Sequence, residues 1–236
     1  MALITIFRNA GKIMIRVPML WFFSVLVFLS YNMVNLGQGY YAWLGCIGVL
    51  LFPLTALGQA GQIRSIQLYH DKVAVSFAQI LRHSIRVVGP LIVILIMEIL
   101  LSLIFTIPLI IITRFLFNQY IKSNIFAMLL SITMPIASII CTYARCALVM
   151  SNLPSKHILQ IVLRTLQNGS FTNVILVFVF GLVYYILPKL FPIYPGTPVS
   201  LALYITISFV LVCVQAAVYT IAYIQFEVAP LVVQPK

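Results

Sequence analysis

Residues 87–117 read VVGPLIVILIMEILLSLIFTIPLIIITRFLF, a run of 31 residues with a single acid, Glu98, and a single base, Arg114. About 20 predominantly apolar residues are enough for a helix to cross the ~30 Å hydrocarbon layer, and this run as a straight helix would reach about 46 Å. It predicts a transmembrane helix with length to spare. Pro108 removes a backbone donor near the far boundary, so a kink is expected there, with Leu109 to Phe117 lying toward the outer interface.

The rest of the chain has the same character. Its 236 residues are 63% hydrophobic and 7% charged, whereas a soluble domain carries roughly a quarter charged residues. Five further apolar runs, Pro18 to Val34, Tyr40 to Ala60, Ile125 to Met150, Phe171 to Leu187 and Leu201 to Phe226, complete an all-α integral membrane reading with six transmembrane helices. Between them lie Asn35 to Gly39, a short polar turn, and Gly61 to Arg86, a polar stretch expected outside the hydrocarbon. Asn118 to Asn124 is expected to be an outer turn, and the four-proline segment from Pro188 to Pro198 the largest outer loop.

Three stretches beside these runs are basic and amphipathic. Arg8, Lys12 and Arg16 precede the first run. Arg82, His83 and Arg86 lie opposite Phe77, Ile80, Leu81, Ile85 and Val88. His157, Gln160, Arg164 and Gln167 form a stripe opposite Ile158, Val162, Thr165 and Leu166. Helices of this kind lie in the interface plane, with their bases near lipid head groups. The layout reads as one unit used three times: a basic interfacial helix followed by a hairpin, over about 1–62, 63–153 and 154–236. Phe7 to Pro18 and Phe77 to Pro90 show it best, each reaching Arg-Val shortly before a proline. The third copy, Ile158 to Asn173, lacks the proline.

With the amino terminus inside, the cytoplasmic side receives Arg8, Lys12, Arg16, Arg64, Lys72, Arg82, Arg86, Arg145, Lys156, Arg164 and Lys236. The outer side receives Arg114, Lys122 and Lys189, a ratio of eleven to three. That bias predicts both termini in the cytoplasm. The formal charge of +11 is read as membrane flanks and head-group contacts by Arg8, Lys12, Arg16, Arg82, Arg86, Arg114 and Arg164, not as a nucleic-acid surface.

Glu98 is the one acid inside an apolar run and the foremost candidate for function, because an intramembrane carboxylate must be neutralised or paired. Packing glue, through a hydrogen bond to Thr142, Tyr143 or Gln215, is weighed above a proton or ion pathway. Arg145 is the second intramembrane candidate and is expected to snorkel to the interface in preference to pairing with Glu98. His70, His83 and His157 have no ligand spacing, and Cys46, Cys141, Cys146 and Cys213 all lie within apolar runs. No metal site, cofactor or catalytic constellation is expected.

From about Leu103 to Tyr184 the arrangement resembles a group of bacterial six-helix membrane proteins. That group includes the membrane domain of some glycerophosphodiester phosphodiesterases and the YciC-like proteins. Ile107-Pro108-Leu-Ile-Ile is similar to that group's proline-aliphatic elbow. Ala147-Leu-Val-Met150, followed by His157 to Asn173, is similar to its inward helix, amphipathic linker and re-entering helix. The resemblance implies a non-catalytic domain in a bacterial inner membrane, and no phosphodiesterase residue carries over. The functional expectation is a scaffold, assembly or envelope-maintenance protein whose partners are membrane lipids and other membrane proteins. The alternative is the permease subunit of an ATP-driven transporter, with Asp71 to Arg86 as the coupling helix that docks on an ATPase subunit.

Overall fold

The computed structural model describes residues 2–39, 51–74, 76–117, 123–151, 155–190 and 198–228, which are helical apart from short turns and contain no strand. The helices are α1 (Ala2–Arg16), α2 (Pro18–Gly39), α3 (Phe52–His70), α4 (Phe77–Phe117), α5 (Ser123–Ser151), α6 (Ser155–Asn168), α7 (Ser170–Leu190) and α8 (Pro198–Val228). The first half of the second apolar run (residues 40–50), with Cys46, lies outside the described residues. So do most of the outer turn (118–122), most of the proline-rich loop (191–197) and the carboxyl-terminal residues 229–236.

In α1, Ile6, Ala10 and Ile13 are buried while Arg8, Lys12 and Arg16 are exposed, as the three-and-four spacing of its apolar residues requires. The chain then turns by 96° into α2 at Val17, where the following proline disfavours helical geometry. Across the elbow, Trp21 Nε1 donates to the Met14 carbonyl at 2.6 Å. A second elbow of 89° joins α6 to α7 at Gly169, which has no proline beside it. Its cause is tertiary. A Cβ on Gly169 would stand 2.5 Å from the Phe226 ring, and Asn168 Nδ2 donates to the Phe226 carbonyl at 3.0 Å, so the end of α8 sits on the turn.

The middle copy of the expected repeat does not bend. Helix α4 runs unbroken for 41 residues through Pro90 and Pro108, about 61 Å at the usual rise, and its first three turns are the segment expected to be a separate interfacial helix. Gly89 and Pro90 are exposed and nothing approaches Gly89 within 4 Å, so no neighbour folds the chain over there. A lost proline hydrogen bond alone does not break a helix in a setting that can re-satisfy the freed carbonyl. Three further boundaries also shift: α2 continues through Asn35 to Gly39, α7 passes Pro188, and α3 continues through Gly61 to His70.

The stretch from Gly61 to His70, expected outside the hydrocarbon, is packed. Gly61, Gln62, Ile63, Ser65, Ile66 and Leu68 are all buried. Gly58 and Gly61 let α2 approach closely at Phe23 and Val27, the usual basis of helix association where water supplies no driving force. Helix α3 ends in a six-to-one and five-to-two pair of bonds, Val73 N to Leu68 O at 2.9 Å and Lys72 N to Tyr69 O at 3.2 Å. Lys72 accordingly has φ 56°, a left-handed conformation that favours glycine. Replacing Lys72 with Gly is expected to stabilise the protein by about 1 kcal/mol, read as a later midpoint in denaturant titration of the detergent-solubilised chain.

Helices α2 and α3 pack antiparallel, as do α4 and α5, with α3 against α4 between the pairs. Helix α7 leans on α5 and touches α8 only lightly, so the expected third hairpin is not a packed pair. Residues 217–224 of α8 are buried throughout, with Tyr223 against Tyr143 of α5 and Tyr219 against Phe180 of α7, and the helix as a whole packs on α1, α2, α3, α5 and α6. Away from its neighbours, α4 exposes Val93, Ile96, Met97, Leu100, Leu103, Ile104, Ile107 and Ile111. Among the described residues, three helices are long and apolar enough to cross a membrane, Phe77–Phe115, Thr133–Met150 and Ala202–Phe226, or up to five if each bent pair counts as one span.

Candidate functional site

The packed face of α4 can be followed at helical spacing through Leu91, Leu95, Glu98, Ser102 and Thr106. Both leucines are buried, as are Ser102 and Thr106, while Val93, Ile96, Met97, Ile99, Leu100, Leu103 and Ile104 between them are exposed. Each hydroxyl returns a bond to its own helix, Ser102 Oγ to the Glu98 carbonyl at 2.9 Å and Thr106 Oγ1 to the Ser102 carbonyl at 2.6 Å. Thr106 and Thr133 also join hydroxyls across to α5 at 2.7 Å. These bonds satisfy polar groups that hydrocarbon could not.

Glu98 meets Arg145 on this face. Arg145 Nη2 lies 3.0 Å from Glu98 Oε2, and the two side chains are 3% and 12% exposed. Two further guanidinium N–H groups are engaged: Nη1 donates to Gln59 Oε1 at 2.7 Å and Nη2 to Thr142 Oγ1 at 3.0 Å. One ion pair and its amide partner thus tie α4, α5 and α3 together. Arg145 does not snorkel, because a guanidinium 3% exposed has no route to the interface and a carboxylate stands within reach. Pairing is what makes two charges tenable away from water, since an isolated one would carry the full desolvation penalty.

The partners expected for Glu98 are occupied elsewhere. Thr142 accepts from Arg145, Tyr143 OH donates to Asn173 Oδ1 at 2.6 Å, and Gln215 Nε2 donates to Ser138 Oγ at 3.4 Å. Gln59 was not singled out from sequence, nor was Gln62, whose Nε2 donates to Ser24 Oγ at 2.7 Å. The stripe Glu98, Ser102, Thr106 at four-residue spacing was the legible sign that this face of α4 meets protein.

The head-group candidates do not gather into one patch. Arg8, Lys12 and Arg16 are exposed on α1, Arg82 and Arg86 on the first turns of α4, and Arg164 on α6. These elements share one end of the bundle: His83 Nε2 is 3.2 Å from the Val149 carbonyl near the end of α5, and Asn168 reaches the end of α8. Arg114 is exposed at the opposite end of α4. Among the described residues no group of three or more His, Cys, Asp or Glu side chains could hold a metal ion.

No family model, curated protein or solved structure matches the chain.

Proposed function

We propose that the chain is a non-catalytic multi-pass protein of a bacterial inner membrane that works through lipid and protein contacts, as a scaffold, assembly or envelope-maintenance component. The observation that carries this reading is the use made of buried polar side chains. Glu98 with Arg145 and Gln59, Thr106 with Thr133, Tyr143 with Asn173, and Gln62 with Ser24 are all engaged in ties between helices. The same groups would be glue in the resemblance to the YciC-like proteins, which belongs to this proposal. Extraction in mild detergent tests the reading against a permease subunit: a stoichiometric ATPase retained on the purified chain would overturn it.

The proposed topology has six spans. In order they are α2, the run through residues 40–50 into α3, α4, α5, α7 and α8, with α1 and α6 on the inner interface and both termini cytoplasmic. The eleven-to-three distribution of Lys and Arg supports it. Single cysteines placed at Lys122 and Gly196, in a cysteine-free background, are expected to react with an impermeant maleimide in intact cells. Cysteines at Arg8 and Leu159 are expected to react only after permeabilisation. Labelling of all four from one side would refute the arrangement.

A further inference from the structure

At the elbow between α1 and α2 the chain leaves a cleft of about 180 Å³, closed on its far side by the end of α3, the turn after it and the start of α4. Pro18, Leu68, Val73 and Ile80 form its apolar wall, and Arg16 and Tyr69 bring polar ends to it. Arg16 is exposed, and among the described residues the ion pairs are His70 with Asp71 and Glu98 with Arg145, so its guanidinium is not neutralised by a carboxylate there. Lys12, Arg64 and Lys72 lie within four residues of the lining positions in sequence, as does Asp71, whose carboxylate is 3.3 Å from His70 Nδ1. From the cleft an apolar strip leads away along α2, where Phe22, Val25 and Leu29 are exposed.

We propose that this cleft holds the head-group phosphate of an anionic phospholipid, with the first methylenes against the apolar wall and the acyl chain continuing along Phe22, Val25 and Leu29. The proposal rests on α1 lying at the inner interface. It is more specific than general attraction of basic residues to a charged surface. A guanidinium offers paired donors to phosphate oxygens, the cleft supplies apolar cover for the carbons next to them, and neither Arg8 nor Lys12 lines it.

The test is native mass spectrometry of the full chain in micelles containing equal phosphatidylglycerol and phosphatidylcholine. The parent is expected to retain phosphatidylglycerol several-fold over phosphatidylcholine. Arg16→Gln should reduce that retention several-fold, and Arg8→Gln or Lys12→Gln should leave it nearly unchanged. Val73→Trp, which fills the cleft from an exposed position without altering charge, should mimic Arg16→Gln and decides the matter if the latter misfolds. Equal losses in all three charge variants would overturn the cleft in favour of diffuse attraction. Displacement of the lipid by millimolar inorganic phosphate would overturn it in favour of a small-anion site. Failure of the underlying membrane reading would look different, as a chain that floats with no vesicle of any composition.

Discussion

Arg145→Ala is expected to cost about 3–5 kcal/mol, because it strands the Glu98 carboxylate among apolar helices with its counter-charge gone. Gln59 and Thr142 lose their donor in the same step. The measurement is unfolding of the reconstituted chain by SDS in mixed micelles, where the variant should denature far earlier than the parent. Glu98→Gln should be damaging for the complementary reason, leaving a guanidinium 3% exposed with only neutral acceptors. The informative variant removes both charges: Glu98→Leu with Arg145→Met should recover most of the loss, since apolar replacement of a complete buried pair is often neutral or better. A single variant as stable as the parent would mean that the two groups are solvated separately, and the three-helix tie would have to be abandoned.

The second large effect is steric. A Cβ on Gly58 would stand 2.7 Å from the Phe23 carbonyl oxygen and 2.8 Å from Val27 Cγ2, whereas one on Gly61 would collide with the Phe23 ring. Both glycines therefore set the separation of α2 and α3, but the obstacles differ in kind. A ring can swing aside, and a backbone carbonyl in mid-helix cannot move without carrying the helix with it. Alanine at either position is expected to cost about 1–3 kcal/mol by overpacking. Adding Phe23→Ala should rescue Gly61→Ala and leave Gly58→Ala impaired. Rescue of both, or of neither, in the same SDS titration would contradict the close approach at Phe23.

Local pattern made some of this molecule legible in advance, and the reasons for its failures are physical. The amphipathic stripe of Ser155 to Asn168 is α6 with the same ends, and the spacing of Ile6, Ala10 and Ile13 against Arg8, Lys12 and Arg16 is the face that α1 buries. Such periodicity is written into one helix and needs no neighbour. Proline is an uneven signal of bends: the chain turns beside Pro18 but Pro90 lies in an unbroken helix, while Gly169 turns the chain because Phe226, 57 positions away, rests on it. The polar content of residues 61–70 gives no sign of how tightly they pack, yet Gln62 and Ser65 are buried, each in a hydrogen bond. Glu98 was recognised as exceptional from its surroundings in sequence. Its pairing with Arg145 depends on the relative register of α4 and α5, which no single-helix pattern encodes.

The burial of residues 217–224 also bears on how the chain is made. The helices that α8 packs on, α1, α2, α3, α5 and α6, all precede it in the chain. Until α8 emerges, this end of the bundle has no centre to close around, and α1 has no fixed seat because its main packing partner does not yet exist. Completion of this end of the bundle therefore waits on the synthesis of α8. A chain halted short of Ala217 leaves the faces of α1, α3 and α5 that pack on α8 without their partner.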